Sequence, residues 1–132
     1  MKGLLHHVEI YVSDLEQSRE FWTWLLEEVS YKIYQEWDEG FSLKFGDTYI
    51  VFVQTEDKYN ETIYHRCQTG LNHLAFHGGT RNDIDILTTK LRERGITILY
   101  EDRHPFAGGL DYYAVYFEDP DRIKVEFVAD EE

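Results

Sequence analysis

The apolar positions of the chain change period several times, and each change predicts an element. Leu4–Val12 is a short run rich in β-branched and aromatic residues, which predicts a buried strand. Ser13 and Glu16 then have the spacing of a capping box, in which each side chain satisfies the other's free backbone N–H. Leu15, Trp22, Leu25, Leu26 and Val29 recur at helical spacing, predicting a helix to about Glu28. Three strands follow at Tyr31–Trp37, Phe41–Phe45 and Tyr49–Gln54, separated by Asp38-Glu39-Gly40 and Gly46-Asp47. This half reads βαβββ.

Residues 56–69 are polar and aperiodic and read as a linker. The pattern then restarts. Gly70–Gly78 predicts a strand, Thr80 with Asp83 a second capping box, and Ile84, Leu87 and Leu91 one helix face ending at Arg94-Gly95. Ile96–Tyr100, Tyr112–Phe117 and Ile123–Val128 predict three more strands, with a Pro/Gly-containing loop at His104–Leu110. The expectation is one α+β domain over residues 1–132, with a first βαβββ module at about 1–55 and a second at about 70–132.

Side chains alternate faces along a strand. His7, Glu9 and Tyr11 therefore share one face of the first strand, opposite Val8, Ile10 and Val12. His73, Ala75 and His77 share a face of the fifth; Lys124, Glu126 and Val128 share one on the last. Each of these strands has one apolar face for helix packing and a second face with ionisable groups, and the aromatics among these suggest a partly enclosed cavity in place of open solvent. His7 and His73 hold the same place in the two halves, and Glu126 could join them. Two imidazoles and a carboxylate suit one divalent ion, Zn, Mn, Ni, Co or Fe(II), with positions left for water or substrate.

Composition narrows the partners. A formal net charge of −13 offers no basic stripe for nucleic acid. No apolar run is long enough to span a bilayer, and the N-terminus lacks a signal-peptide pattern. The lone Cys67 makes no internal disulfide, so a cytoplasmic home is expected. The aromatics, which are 16% of the chain, are enough to line a cavity for a small-molecule substrate or ligand.

Three motifs, HVEIYVSDLEQSREFW, GLNHLAFH and YFEDPDRIKVEFV, carry a resemblance that covers essentially the whole length. The chain resembles the vicinal oxygen chelate superfamily of glyoxalases, bleomycin resistance proteins and extradiol dioxygenases. In that family a ligand His stands seven residues before the Asp of the first strand–helix turn, as His7 does before Asp14. A second His comes from the first strand of the second module, here His73, and a Glu follows the first Asp of the DPD turn by seven, here Glu126. The resemblance implies two βαβββ modules curled into a mixed-sheet cup with helices outside, and a homodimer.

Departures bear on the activity. Aligning Asp47 with Asp121 puts Phe52 opposite Glu126, where four-ligand members similar to glyoxalase I carry another donor; Gln54 lies two residues further on. Tyr11 stands where bacterial glyoxalase I carries a substrate-contacting Arg. The set of three is similar to fosfomycin-modifying thiol transferases, and Tyr116 matches a cavity tyrosine of theirs, but their phosphonate-cradling basic residues have no clear counterpart. It is also similar to the iron triad of extradiol dioxygenases.

The expected function is a metal-dependent enzyme of lyase, isomerase, transferase or dioxygenase type, with Glu9 as general base. Tyr11, Phe52, His77, Tyr112, Tyr116 and Lys124 are expected to line the cavity, and His104 to sit on a covering loop. Asp119-Pro120-Asp121 reads as a turn rather than an acid pair, and Cys67 as inert. The alternative is a non-catalytic protein that sequesters a small ligand, as bleomycin resistance proteins do.

Overall fold

The computed structural model describes all residues, Met1–Glu132. The protein is α+β and divides into two compact units, Met1–Ile63 and Tyr64–Glu132, the division falling within the polar stretch 56–69. Neither helix is long and apolar enough to cross a membrane.

The first unit runs β1 (His7–Val12), α1 (Leu15–Glu28), β2 (Lys32–Trp37), β3 (Gly40–Phe45) and β4 (Thr48–Gln54), then a single 3-10 turn at Asp57–Tyr59. Its sheet has the order β1-β4-β3-β2, with β1 parallel to β4 and the other pairs antiparallel. One face of α1 buries Phe21, Trp22, Leu25 and Leu26. Trp22 stacks on Phe52 of β4 at 4.8 Å, and Phe52 stacks on Phe41 of β3 at 5.0 Å. Each such side chain, fully removed from water, contributes about 1.5–3 kcal/mol.

The α1 start differs from the expected capping box. Asp14, not Ser13, is the N-cap, its carboxylate accepting from the Gln17 N–H at 3.2 Å. Glu16 instead lies in the first turn beside Arg19. The neighbouring free N–H, that of Leu15, is taken by the Gln54 side-chain oxygen at 2.8 Å, while the Gln54 amide donates to the Ser13 carbonyl at 2.8 Å. Gln54 thus ties the β1–α1 turn to β4, and its side chain is committed to that structural bond.

The second unit runs β5 (Leu74–His77), α2 (Arg81–Glu93), β6 (Ala114–Glu118) and β7 (Lys124–Val128), with sheet order β5-β7-β6. Thr80 and Asp83 form the expected capping box, and Gly95 follows the helix at φ 73°. Two expected strands are cut short. Gly70–Gly78 pairs with β7 only over Leu74–His77, so His73 stands immediately before the strand. Ile96–Tyr100 is reduced to one bridge, Ile98 to Phe117, supported by a bond from the Leu99 N–H to the Tyr116 carbonyl at 2.8 Å. Tyr100 turns to φ 57°, a left-handed conformation that ends an extended run. With that bridge in the place of β2, the second unit repeats the connectivity of the first.

Candidate metal centre

The register of the second unit brings His73 and Glu126 to one face. Ala75 pairs with Glu126 between parallel β5 and β7, and Tyr116 pairs with it between antiparallel β6 and β7. Glu126 is 2% exposed, an unusual place for a carboxylate. Its Oε1 lies 3.0 Å from His73 Nε2, and its Oε2 accepts the Tyr112 hydroxyl. No other His, Cys, Asp or Glu converges on the pair: within neither unit do three such side chains meet.

Asn72 completes the arrangement. Its side-chain oxygen lies 2.7 Å from His73 Nδ1 and accepts a hydrogen bond from it when that nitrogen carries the proton. In that tautomer the Nε2 lone pair points at a carboxylate oxygen. With the proton on Nε2 the ring donates to Glu126 Oε1; with it on Nδ1, Nε2 and the carboxylate are two acceptors open to a metal ion. A histidine whose far nitrogen is tied to a carbonyl-type oxygen is the usual form of a metal-ligating imidazole. The donor set and its support therefore fit a first-row divalent ion.

Two tyrosines surround the carboxylate. The hydrogen bond to Glu126, with burial next, pushes the Tyr112 hydroxyl up to about 12. Burial raises Tyr116 further, with the Glu126 charge adding to it, so both phenols stay protonated. Lys124 donates to the Tyr100 hydroxyl at 3.0 Å and lies over the Tyr100 and Tyr116 rings at 4.9 and 5.1 Å. It is a half-buried cation held by aromatic faces.

The first unit carries the other expected residues. His7 stacks flat on Tyr49 of β4, at 4.7 Å between centroids and 2° between planes, and its Nδ1 lies 2.9 Å from that of His6. Glu9 and Tyr11 share its side of β1 and are exposed, paired with Val51 and Val53. Phe52 requires a correction: it pairs with Ile10, packs under Trp22 in the helix-side core and is 0% exposed. The residue equivalent to Glu126 is Val51, which pairs with Glu9 as Glu126 pairs with Ala75. The turns explain the slip. Phe45 pairs with Thr48 across two residues, whereas Glu118 pairs with Lys124 across five, so counting from Asp47 and Asp121 misses the register by one.

His77 is exposed and bonded to Asp130. His104 has Arg92 and Asp85 of α2 and Glu101 as its charged neighbours, and burial lowers its affinity for a proton. The loop does reach Glu126, but through Tyr112. Asp119 forms the expected turn, its carboxylate accepting from the Asp121 and Ile123 N–H groups at 2.9 and 2.8 Å. The supporting Asn72 had no periodic signal in the sequence; only its adjacency to His73 marked it.

Residues 4–127 match the model of the Glyoxalase/Bleomycin resistance protein/Dioxygenase superfamily. Uncharacterized protein YqjT of Bacillus subtilis (strain 168) is 56% identical over 125 residues, covering 95% of this chain and 98% of that protein. The glutathione transferase FosA of Serratia marcescens is 28% identical over 122 residues, covering 92% of this chain and 77% of that one. A solved structure of a candidate glyoxalase from Bacillus halodurans superposes with a TM-score of 0.96 at 62% identity, covering 97% of this chain and 96% of that one.

Proposed function

The chain belongs to the Glyoxalase/Bleomycin resistance protein/Dioxygenase superfamily, and on that premise we propose that it is a metal-dependent enzyme acting on a small substrate with two adjacent oxygens. His73, Glu126 and His7 are the donors for one divalent ion, Zn, Mn, Ni, Co or Fe(II). The observation that carries the reading is Nε2 of His73 facing the buried Glu126 carboxylate at 3.0 Å, with Asn72 against the other ring nitrogen. His7 enters on its place two residues before the Glu9–Val51 pair, as His73 stands two before the Ala75–Glu126 pair, and on its seven-residue spacing to Asp14.

When bound, the ion supplies Lewis acidity toward the substrate oxygens. Glu9, on the same side of β1 as His7, is the candidate proton carrier, because a carboxylate within reach of a bound substrate can take up and return a proton. Tyr112 and Tyr116, protonated across the physiological range, exclude water around Glu126 and donate hydrogen bonds. The reaction is of lyase, isomerase, transferase or dioxygenase type. The reading also includes a cytoplasmic homodimer.

Metal analysis tests it. Protein purified without added metal, then titrated with Mn²⁺, Co²⁺, Ni²⁺, Zn²⁺ and Fe(II), is expected to bind one ion per chain. At a free concentration about 100 times Kd, binding raises stability by about 2.7 kcal/mol. His73→Ala and Glu126→Gln are each expected to lose more than the roughly 10–100-fold in affinity that supporting residues carry. A chain that stays metal-free, with an unshifted melting temperature for every ion, sinks the proposal and favours the ligand-sequestering alternative.

A further inference from the structure

Glu126 has two oxygens, and the second unit treats them differently. Oε1 lies 3.0 Å from Nε2 of His73, while Oε2 accepts from the hydroxyl of Tyr112. Tyr112 comes from outside the sheet, two residues before β6, on the loop that follows Tyr100. That loop is built to seat its ring. A Cβ on Gly108 would fall on the Tyr112 ring and come within 2.6 Å of the Tyr116 hydroxyl, a contact that real Cβ atoms do not make. Gly108 has no left-handed φ, so its missing side chain is used for space. Its neighbour Gly109, at φ 141°, has a conformation that only glycine adopts readily.

We propose that Tyr112 is a positioning residue that makes Glu126 a single-oxygen metal ligand, and that Gly108 is the clearance this requires. The inference rests on the metal reading above and deepens it. A carboxylate free at both oxygens can close on an ion with both, taking a position that a two-oxygen substrate needs. With Oε2 engaged by the phenol, only Oε1 is offered, and the carboxylate is held at the angle at which it meets His73. Recognition of a chelating substrate therefore depends on a hydroxyl that itself touches neither ion nor substrate.

Cobalt titration separates this role from simple packing, because the visible absorption of Co²⁺ reports the number of its ligands. Tyr112→Phe keeps the ring and removes only the hydroxyl. It is expected to bind one Co²⁺ per chain about tenfold more weakly than wild type, with a changed visible spectrum. Gly108→Ala, which keeps the hydroxyl but displaces the ring, is expected to shift the spectrum in the same direction. Leu110→Ala, in the same loop and 92% exposed, is expected to match wild type. If Tyr112→Phe and Gly108→Ala both bind Co²⁺ with wild-type affinity and spectrum, the role of Tyr112 is overturned while the metal reading stands. If wild type takes up no Co²⁺, both fall together.

Discussion

The two units place different chemistry on one scaffold. In the first, the paired positions that follow His7 carry Glu9 on β1, Val51 on β4 and Ser42 on β3. In the second, the matching positions after His73 carry Ala75, Glu126 and Tyr116. The carboxylate has moved from the first strand to the last. In the first unit it is exposed, beside a buried valine; in the second it is buried, with an imidazole and a phenol around it. The histidines differ accordingly: His7 stacks on Tyr49, whereas His73 is fixed at both ring nitrogens. Repeating a connectivity conserves where side chains point, not what they do there.

The most severe way to break this contrast is Val51→Glu, which gives the first unit a carboxylate at the Glu126 position. Ser42, its neighbour, already bonds Gln35 at 3.1 Å, so the new charge has no ready partner. A cost of about 3–5 kcal/mol in urea unfolding is expected, as for an uncompensated buried charge. A variant of wild-type stability that binds a second metal ion would make the two units equivalent after all.

The helix starts allow a gentler comparison. Asp14→Ala and Thr80→Ala each remove an N-cap and are expected to cost about 0.5–2 kcal/mol. Gln54→Ala should add to the first and leave the second unit unchanged, because it releases the Leu15 N–H and the Ser13 carbonyl. Hydrogen exchange at the first turns of α1 and α2 reads the two separately.

The smallest effect is one of pH. The Thr80 N–H, with its hydroxyl, holds the Asp83 carboxyl below the usual carboxylate range. Its folded value is depressed, so its contribution is complete above the unfolded value of about 4 and fades as pH falls through the folded one. Asp83→Asn should flatten the acid limb of a plot of melting temperature against pH. An unchanged limb would mean that Asp83 does not contribute.

Most of the fold was legible because it is written in period and punctuation. The helix face of Trp22, Leu25 and Leu26 and the Thr80–Asp83 cap are local signals, and local bonds make them. Ser13 misled because Asp14 beside it is an equally good cap, and the choice depends on Gln54 arriving from β4. Ile96–Tyr100 misled because its β-branched residues favour a strand while Tyr100 turns away after a single bridge. In the site, strand parity brought out His73 and Glu126. Phe52 was misplaced because residue counting cannot see that one turn holds two residues and the other five. The bonds made by Asn72 and Tyr112 depend on side-chain reach, which no periodicity encodes.

The amide behind His73 has a consequence for charge. A carboxylate in place of Asn72 would orient the ring equally well but would pull its proton away and make the imidazole a partly anionic donor. Asn72 is neutral and adds no charge behind the ring. Under the metal reading proposed above, a divalent ion with Glu126 as its one charged ligand would keep one net positive charge. In a chain of formal charge −13, such a site would be a small island of positive potential, able to draw an anionic oxygen into a surface that otherwise repels it.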